Sequence, residues 1–106
     1  MNELEMQILQ IISSSGESKA KAFKALDKVK EGDYQGARQL LKEAKEIDLE
    51  AHKAQTQLIQ SELSQDAENR AQVSLLMVHA QDHYMTSQLT RDLIEKIIEV
   101  FESKEG

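Results

Sequence analysis

The sequence VHAQDHYMT at residues 78–86 is the most informative stretch for the fold, because ionisable side chains interrupt an apolar helical pattern there. At about 100° per residue, four of its polar residues fall within an arc of roughly 100° on one helix face. They are His79, Asp82, His83 and Thr86. The apolar members of the same stripe are Leu75, Leu89, Leu93, Ile97 and Val100. Ionisable groups on a packed seam cost free energy, so the pattern predicts a long helix whose polar interruption serves a function.

The composition of the 106 residues predicts a single all-α domain spanning residues 1–106. Proline and cysteine are absent, and there are only four glycines; Ala, Leu, Lys, Glu and Gln are typical of helices. Without cysteine the chain has no disulfide and no thiolate nucleophile. The net charge of −6 and the scattered basic residues argue against nucleic-acid binding. No signal peptide or membrane-spanning run is evident, so a cytoplasmic location is expected.

Apolar spacing predicts an antiparallel bundle of three helices, at residues 3–30, 34–63 and 70–103. In the first connection, Gly32 is expected to supply a left-handed C-terminal cap and Asp33 to cap the next helix. The polar residues 64–69 predict the second connection. The run SSSG at residues 13–16 weakens helix propensity. Because no proline enforces a stop, we expect a continuous or slightly bent first helix rather than a broken one.

The third helix has more apolar surface than a lone three-helix bundle needs. Beside the stripe through the VHAQDHYMT motif lie further apolar residues, namely Leu76, Ile94, Phe101 and, further round, Ile98. A helix in an isolated bundle needs one apolar face, whereas this one has two. The second face is expected to contact other subunits.

The histidines of the motif support three interpretations. His79 and His83, four residues apart, could share a metal with Asp82 as a third ligand, although Ala80 stands where a zinc protease has its glutamate. His79 could instead be a nucleophile toward a phosphoryl group, which requires an exposed ring nitrogen and hydrogen-bond donors. Candidate donors are Gln81, Thr86 and Ser87, of which Gln81 and Ser87 point to other helix faces. In the third interpretation, these residues are hydrogen-bonded polar groups that fix the packing.

Asp82 and His52 need separate interpretations. If the stripe lies on a threefold axis, three Asp82 carboxylates about 5 Å apart repel by roughly 3 kcal/mol per pair at an effective dielectric constant of ~20. Such a cluster must take up protons or bind a cation, and oxygen ligands favour a hard ion such as magnesium. His52 is either a polar neighbour of the active groove or a solvated helix histidine.

Two motifs give the chain a close resemblance to a known family. VHAQDHYMT at residues 78–86 and AHKAQT at residues 51–56, supported by EGDY at residues 31–34, resemble the lactose/cellobiose-type enzyme IIA of the bacterial sugar phosphotransferase system. The likeness covers nearly the whole chain. It implies three helices per subunit, assembled into a homotrimer with a nine-helix core.

The resemblance also implies roles for individual residues. His79 falls on the histidine that accepts a phosphoryl group from the phosphocarrier HPr and passes it to a cysteine of the cognate IIB protein, which serves the membrane component IIC. Asp82 falls on the aspartate at the subunit junction that is associated with a divalent cation, typically Mg²⁺, at the trimer axis. Gln81, His83, Thr86 and His52 are expected to line the groove or to support it.

Other functions remain open at the level of sequence. The chain could be a non-catalytic helical-bundle module for regulation or interaction, with the motif kept for packing. A metallohydrolase would need His79 and His83 as metal ligands. Of the three functions, phosphocarrier, interaction module and metallohydrolase, it has the weakest support from the sequence. The expected sugar is a β-linked disaccharide of the cellobiose/chitobiose or lactose type, and Ala80 resembles the cellobiose/chitobiose branch.

Overall fold

The computed structural model describes residues 2–64 and 74–105, and there the chain forms three α-helices and no strand. They are α1 (Glu3–Lys30), α2 (Tyr34–Glu62) and α3 (Leu75–Glu105). The all-α prediction is therefore confirmed, with the predicted bounds of α1 reproduced and α2 ending one residue early. Within these ranges, no helix is both long enough and apolar enough to cross a membrane.

The predicted start of the third helix is wrong. The Oγ of Ser74 accepts a hydrogen bond from the backbone N–H of Met77 at 3.1 Å, and helical structure begins at Leu75. A serine whose hydroxyl accepts a hydrogen bond from a free N–H of the first turn acts as an N-cap, and the backbone of an N-cap residue is not itself helical. Residues 70–73, which were predicted to be helical, and residues 65–69 of the predicted connection lie outside the described residues.

Helix α1 runs without a break through its serine-rich middle, as expected. Ser14, Ser15 and Ser18 are buried there, and the Ser18 hydroxyl donates to the Ala44 carbonyl oxygen of α2 at 2.7 Å. Small side chains let the two helix backbones come close, and the hydrogen bond satisfies a buried hydroxyl. The low helix propensity of this run is thus offset by close packing against α2.

The turn between α1 and α2 has the predicted capping geometry. Gly32 lies in the left-handed region with φ of 77°, and its N–H donates to the Val29 carbonyl oxygen at 3.0 Å. The Asp33 carboxylate accepts from the Gly36 N–H at 2.8 Å and so caps α2. These contacts satisfy helix-end groups that would otherwise lack partners.

Two glycine substitutions test this turn. Gly32→Ala is expected to destabilise the protein by about 1 kcal/mol, because a side chain disfavours positive φ. Gly16→Ala is the matched control: Gly16 is helical and a methyl group there meets no atom within 4 Å, so a gain of about 0.5–1 kcal/mol is expected. Urea unfolding at equal protein concentration measures both. Loss of stability of the same size in both variants would contradict this account.

Cross-helix pairs show that α2 runs antiparallel to α3. Arg38 near the start of α2 pairs with Glu102 near the end of α3, and Gln55 near the end of α2 pairs with Gln81 near the start of α3. Likewise, Lys21 of α1 pairs with Glu43 of α2, and Ser18 lies by Ala44. The chain is therefore an up-down-up bundle in which α1 and α3 run parallel.

A polar layer divides the core into two apolar clusters. The first cluster consists of Ile8, Ile11, Ala51, Ala54, Leu58, Met77, Ala80 and Tyr84. The second consists of Ala22, Ala25, Val29, Ala37, Leu41, Ala44, Ile94 and Ile98. Between them along all three helices lie the buried or largely buried polar residues Ser15, Ser18, Asp48, Ser87 and Arg91. The first cluster underlies the part of α3 that carries the VHAQDHYMT motif.

Candidate functional site

His79 and His83 form a contacting pair on the surface of α3. Their Nε2 atoms are 3.2 Å apart, and the rings meet edge to face with centroids 4.5 Å apart and an interplanar angle of 88°. His79 is exposed and His83 is half-buried. A hydrogen bond between two imidazole nitrogens needs one donor and one acceptor, so the contact requires at least one unprotonated nitrogen.

The pKa of His83 is lowered from its ordinary value. Burial is the largest cause, followed by repulsion from His79 and from Lys19, while Asp82 acts in the opposite direction. The unfolded chain thus binds a proton at His83 more readily than the folded chain does. The stability that this group contributes is present above its ordinary pKa and is lost as the pH falls through the lowered pKa. Near neutral pH, His83 is uncharged and can contact His79 without adding positive charge.

Thr86 connects α1 to the face of α3 that carries His79 and His83, which we call the histidine face. Its Oγ1 donates to the Asp82 carbonyl oxygen at 2.7 Å and accepts a hydrogen bond from the Lys19 ammonium at 2.9 Å. The structure thus places His79, His83 and Thr86 on one face, where helical periodicity predicts them. Lys19 was not among the predicted residues, because no local pattern in α1 shows which part of α3 it contacts.

Gln81 and His52 form contacts between α2 and α3 rather than with the histidine pair. Gln81 exchanges hydrogen bonds with Gln55 of α2, one of them 2.7 Å long, and the Nδ1 of His52 lies 2.8 Å from the Tyr84 hydroxyl. The two motifs of the sequence therefore contact each other and hold α2 against α3. Within one chain, these contacts keep Gln81 and His52 away from the histidine pair, and their predicted place in the groove stays a prediction.

Tyr84 is a motif residue whose part in this contact was not predicted from the sequence. Its ring is buried in the first apolar cluster, and its hydroxyl also accepts a hydrogen bond from Gln88 at 3.1 Å. Burial, together with the nearby Asp48 charge, raises the pKa of this phenol, with Arg91 opposing. Tyr84 therefore stays protonated and bonds to His52. Its position about 140° around the helix from His79 is the signal that could have assigned it to packing against α2.

Asp82 is exposed in the middle of an apolar surface. We call this surface the open face of α3; its members are Leu75, Val78, Met85, Leu89, Leu93 and Val100. Leu75 is 86% exposed and Met85 64% exposed. Across residues 2–64 and 74–105, no three His, Cys, Asp or Glu side chains are grouped so that they could hold a metal ion.

Comparison with known proteins gives one family and several relatives that align over most of the chain. The family of the lactose/cellobiose-specific IIA subunit of phosphotransferase systems matches residues 6–102. The N,N'-diacetylchitobiose-specific EIIA component of Escherichia coli K12 is 40% identical over 100 residues, which cover 94% of this chain and 84% of that protein. The lactose-specific EIIA component of Staphylococcus epidermidis is 38% identical over 104 residues, which cover 95% and 96%.

Two solved structures share the fold. The cellobiose-specific enzyme IIA of Bacillus anthracis superposes with a TM-score of 0.89 at 34% identity, covering 99% of this chain and 94% of that one. The chitobiose IIA of Escherichia coli, solved in complex with HPr, gives a TM-score of 0.83 at 37% identity and covers both chains completely. Both likenesses extend over all three helices.

Proposed function

Because this chain belongs to the lactose/cellobiose-specific IIA family of sugar phosphotransferase systems, we propose that it carries a phosphoryl group on His79. The observation that carries the proposal is the exposed His79 ring, 3.2 Å from the uncharged partner His83. The proposed donor is phospho-HPr, since the chitobiose relative of this fold was solved as a complex with HPr. The proposed acceptor is a cysteine of the cognate IIB protein, which serves the membrane component IIC.

The chemistry follows from the state of the two imidazoles. A lone pair of His79 forms the new N–P bond while the N–P bond of the donor phosphohistidine breaks, so the phosphoryl group moves between two similar nitrogens. His83 hydrogen-bonds to the His79 ring and fixes its orientation. Because burial lowers the pKa of His83, this ring is mainly uncharged near neutral pH and places no positive charge beside the His79 nucleophile.

Incubation with phosphoenolpyruvate, enzyme I and HPr tests this function. The wild-type chain is expected to gain one acid-labile phosphoryl group and to lose it to a cognate IIB protein. Absence of label with an active HPr preparation would overturn the proposal. The sugar is expected to be a β-linked disaccharide, since the relatives are named as specific for chitobiose, lichenan and lactose. In this proposal the protein acts in the cytoplasm.

The open face of α3 supports a further proposal, namely that three copies of the chain assemble around it. Such a face rarely stays exposed on a monomer of this size. On a threefold axis, the three copies of Asp82 supply only oxygen ligands, which fit Mg²⁺ better than zinc. When bound, the ion neutralises carboxylate charge at the subunit junction; the chain's own apolar side chains supply the buried area.

Paired leucine variants test the assembly. Leu89→Glu is expected to dissociate the trimer, because it places charge on the open face. Leu49→Glu on α2 is the control and should leave the assembly intact, since Leu49 is 55% exposed and Leu89 57%. Light scattering at several protein concentrations measures the mass. A monomeric wild type, or a trimeric Leu89→Glu variant, would contradict the proposed interface.

The metal is tested separately through Asp82. Chelator is expected to weaken the wild-type trimer at neutral pH, because three unneutralised carboxylates repel. Asp82→Asn removes that repulsion, so the variant trimer should be insensitive to chelator. Equal trimer stability of the wild type with and without chelator would reject a bound cation at this position.

A further inference from the structure

Lys19 is the cation of α1 that approaches the histidine face of α3. Its ammonium donates to the Thr86 hydroxyl at 2.9 Å, across a sequence separation of 67 residues. The Thr86 hydroxyl also bonds to the Asp82 carbonyl oxygen, which holds this threonine in one orientation. The charge of Lys19 contributes to the lowered pKa of His83, so the ammonium lies within electrostatic reach of the histidine pair.

Like Lys24, Lys19 lacks a carboxylate partner in the described part of the chain, whereas three other lysines of α1 are paired. Along α1, Lys21 pairs with Glu43, Lys28 with Glu31 and Lys30 with Asp27. In the described part of the chain, Lys19 has no carboxylate partner and bonds only to the neutral Thr86 hydroxyl. A chain of net charge −6 thus leaves the Lys19 ammonium without a carboxylate partner within electrostatic reach of His83.

We propose that Lys19 binds the phosphoryl oxygens when His79 carries the phosphoryl group, an assignment that rests on the proposed function above. Along the same helix face, Thr86 lies about one turn from His83 and about two turns, roughly 10 Å, from His79. A rotation of the flexible lysine side chain moves the ammonium from Thr86 toward the histidine pair. Thr86 is then its resting partner in the unphosphorylated state.

The step requires no proton transfer from Lys19. The N–P bond to His79 forms and the N–P bond to the donor breaks, while the ammonium exchanges the Thr86 oxygen for a phosphoryl oxygen and stays protonated. Its charge offsets the negative charge on the transferred group, which is the main source of rate enhancement in phosphoryl transfer. Removing the charge is therefore expected to slow transfer more than it weakens docking of HPr.

Three lysine variants test this assignment. Lys19→Met removes the charge but keeps an unbranched side chain, Lys19→Arg keeps the charge, and Lys24→Met removes a charge from an exposed position of the same helix. The measurements are kcat and KM for transfer from phospho-HPr, and the hydrolysis rate of the isolated phosphorylated protein. Thermal unfolding checks that all three variants fold.

Lys19→Met is expected to lower kcat about tenfold, less than the ~10²–10³-fold loss of a buried oxyanion donor, with KM changed less than twofold. It should also alter the hydrolysis rate, which involves no HPr. Lys19→Arg should retain most of kcat, and Lys24→Met should match the wild type.

Two results would overturn the assignment while leaving the proposed function intact: a wild-type kcat for Lys19→Met, or a change in KM alone. Equal losses in Lys19→Met and Lys24→Met would overturn it too, because they would indicate a general charge effect. An unlabelled wild type would overturn the proposed function and this inference with it.

Discussion

Replacing His79 by Gln is expected to abolish phosphoryl acceptance while leaving the helical bundle folded. Glutamine is a good helix former and stays polar, but its amide has no nucleophilic nitrogen lone pair. His79 is exposed and its only described polar contact is with His83, so its loss costs little stability. Labelling by phosphoenolpyruvate, enzyme I and HPr measures the effect, with circular dichroism as the check on folding.

The other two histidines provide matched controls. His83→Gln is expected to label more slowly than the wild type, because the His79 ring loses the partner that orients it. His52→Gln is expected still to be labelled on His79, since His52 contacts Tyr84 on the face toward α2. Full labelling of His79→Gln, or abolished labelling of folded His52→Gln alone, would contradict the assignment of the carrier residue.

The second large effect is expected at the polar layer of the core. The Arg91 guanidinium donates to the Asp48 carboxylate at 2.6 Å, and the two side chains are 13% and 3% exposed. Arg91→Met leaves this carboxylate buried without a cation, which is expected to cost about 3–5 kcal/mol. That is a large part of the ~5–15 kcal/mol by which a domain is stable. Urea unfolding at a fixed protein concentration measures the loss.

An exposed arginine–carboxylate pair supplies the control. Arg38 and Glu102 also join α2 to α3, but both side chains are more than two-fifths exposed. Arg38→Met is expected to cost much less than Arg91→Met, because water solvates the carboxylate that is left behind. Similar losses for the two variants would show that burial does not set the strength of these ion pairs.

The loss from Arg91→Met is also expected to depend on pH. Burial raises the pKa of Asp48, against the opposing charge and hydrogen bond of Arg91, and removing Arg91 raises it further. A carboxyl group with a raised folded pKa favours the folded state most below its unfolded pKa, and this stability is lost as the pH rises through the folded pKa. The deficit of Arg91→Met should therefore shrink on acidification. A deficit independent of pH would contradict this electrostatic origin.

Local periodicity was sufficient to predict the helices and the turn between α1 and α2. The bounds of α1, the left-handed Gly32 and the Asp33 cap all depend on residues close in sequence. The start of α3 could not be predicted in the same way, because the spacing of apolar residues does not show that the Ser74 hydroxyl caps the Met77 N–H.

The interior polar layer could not be predicted, because its partners are distant in sequence. Asp48 and Arg91 are 43 residues apart, and each, taken alone, is typical of a solvated helix face. The same limit applies to Lys19, whose partner Thr86 lies on a different helix. Periodicity placed His79 and His83 on one face, but the edge-to-face contact between the rings depends on side-chain rotamers that spacing does not specify.

The position of the phosphoryl group is the most direct test of the account. The chain has three histidines, at positions 52, 79 and 83, so fragmentation mass spectrometry at neutral pH can assign the label to one of them. We expect a single phosphoryl group on the fragment that contains His79, with the modification on that residue. A phosphoryl group on His83 or His52 in the wild-type protein would contradict the central claim.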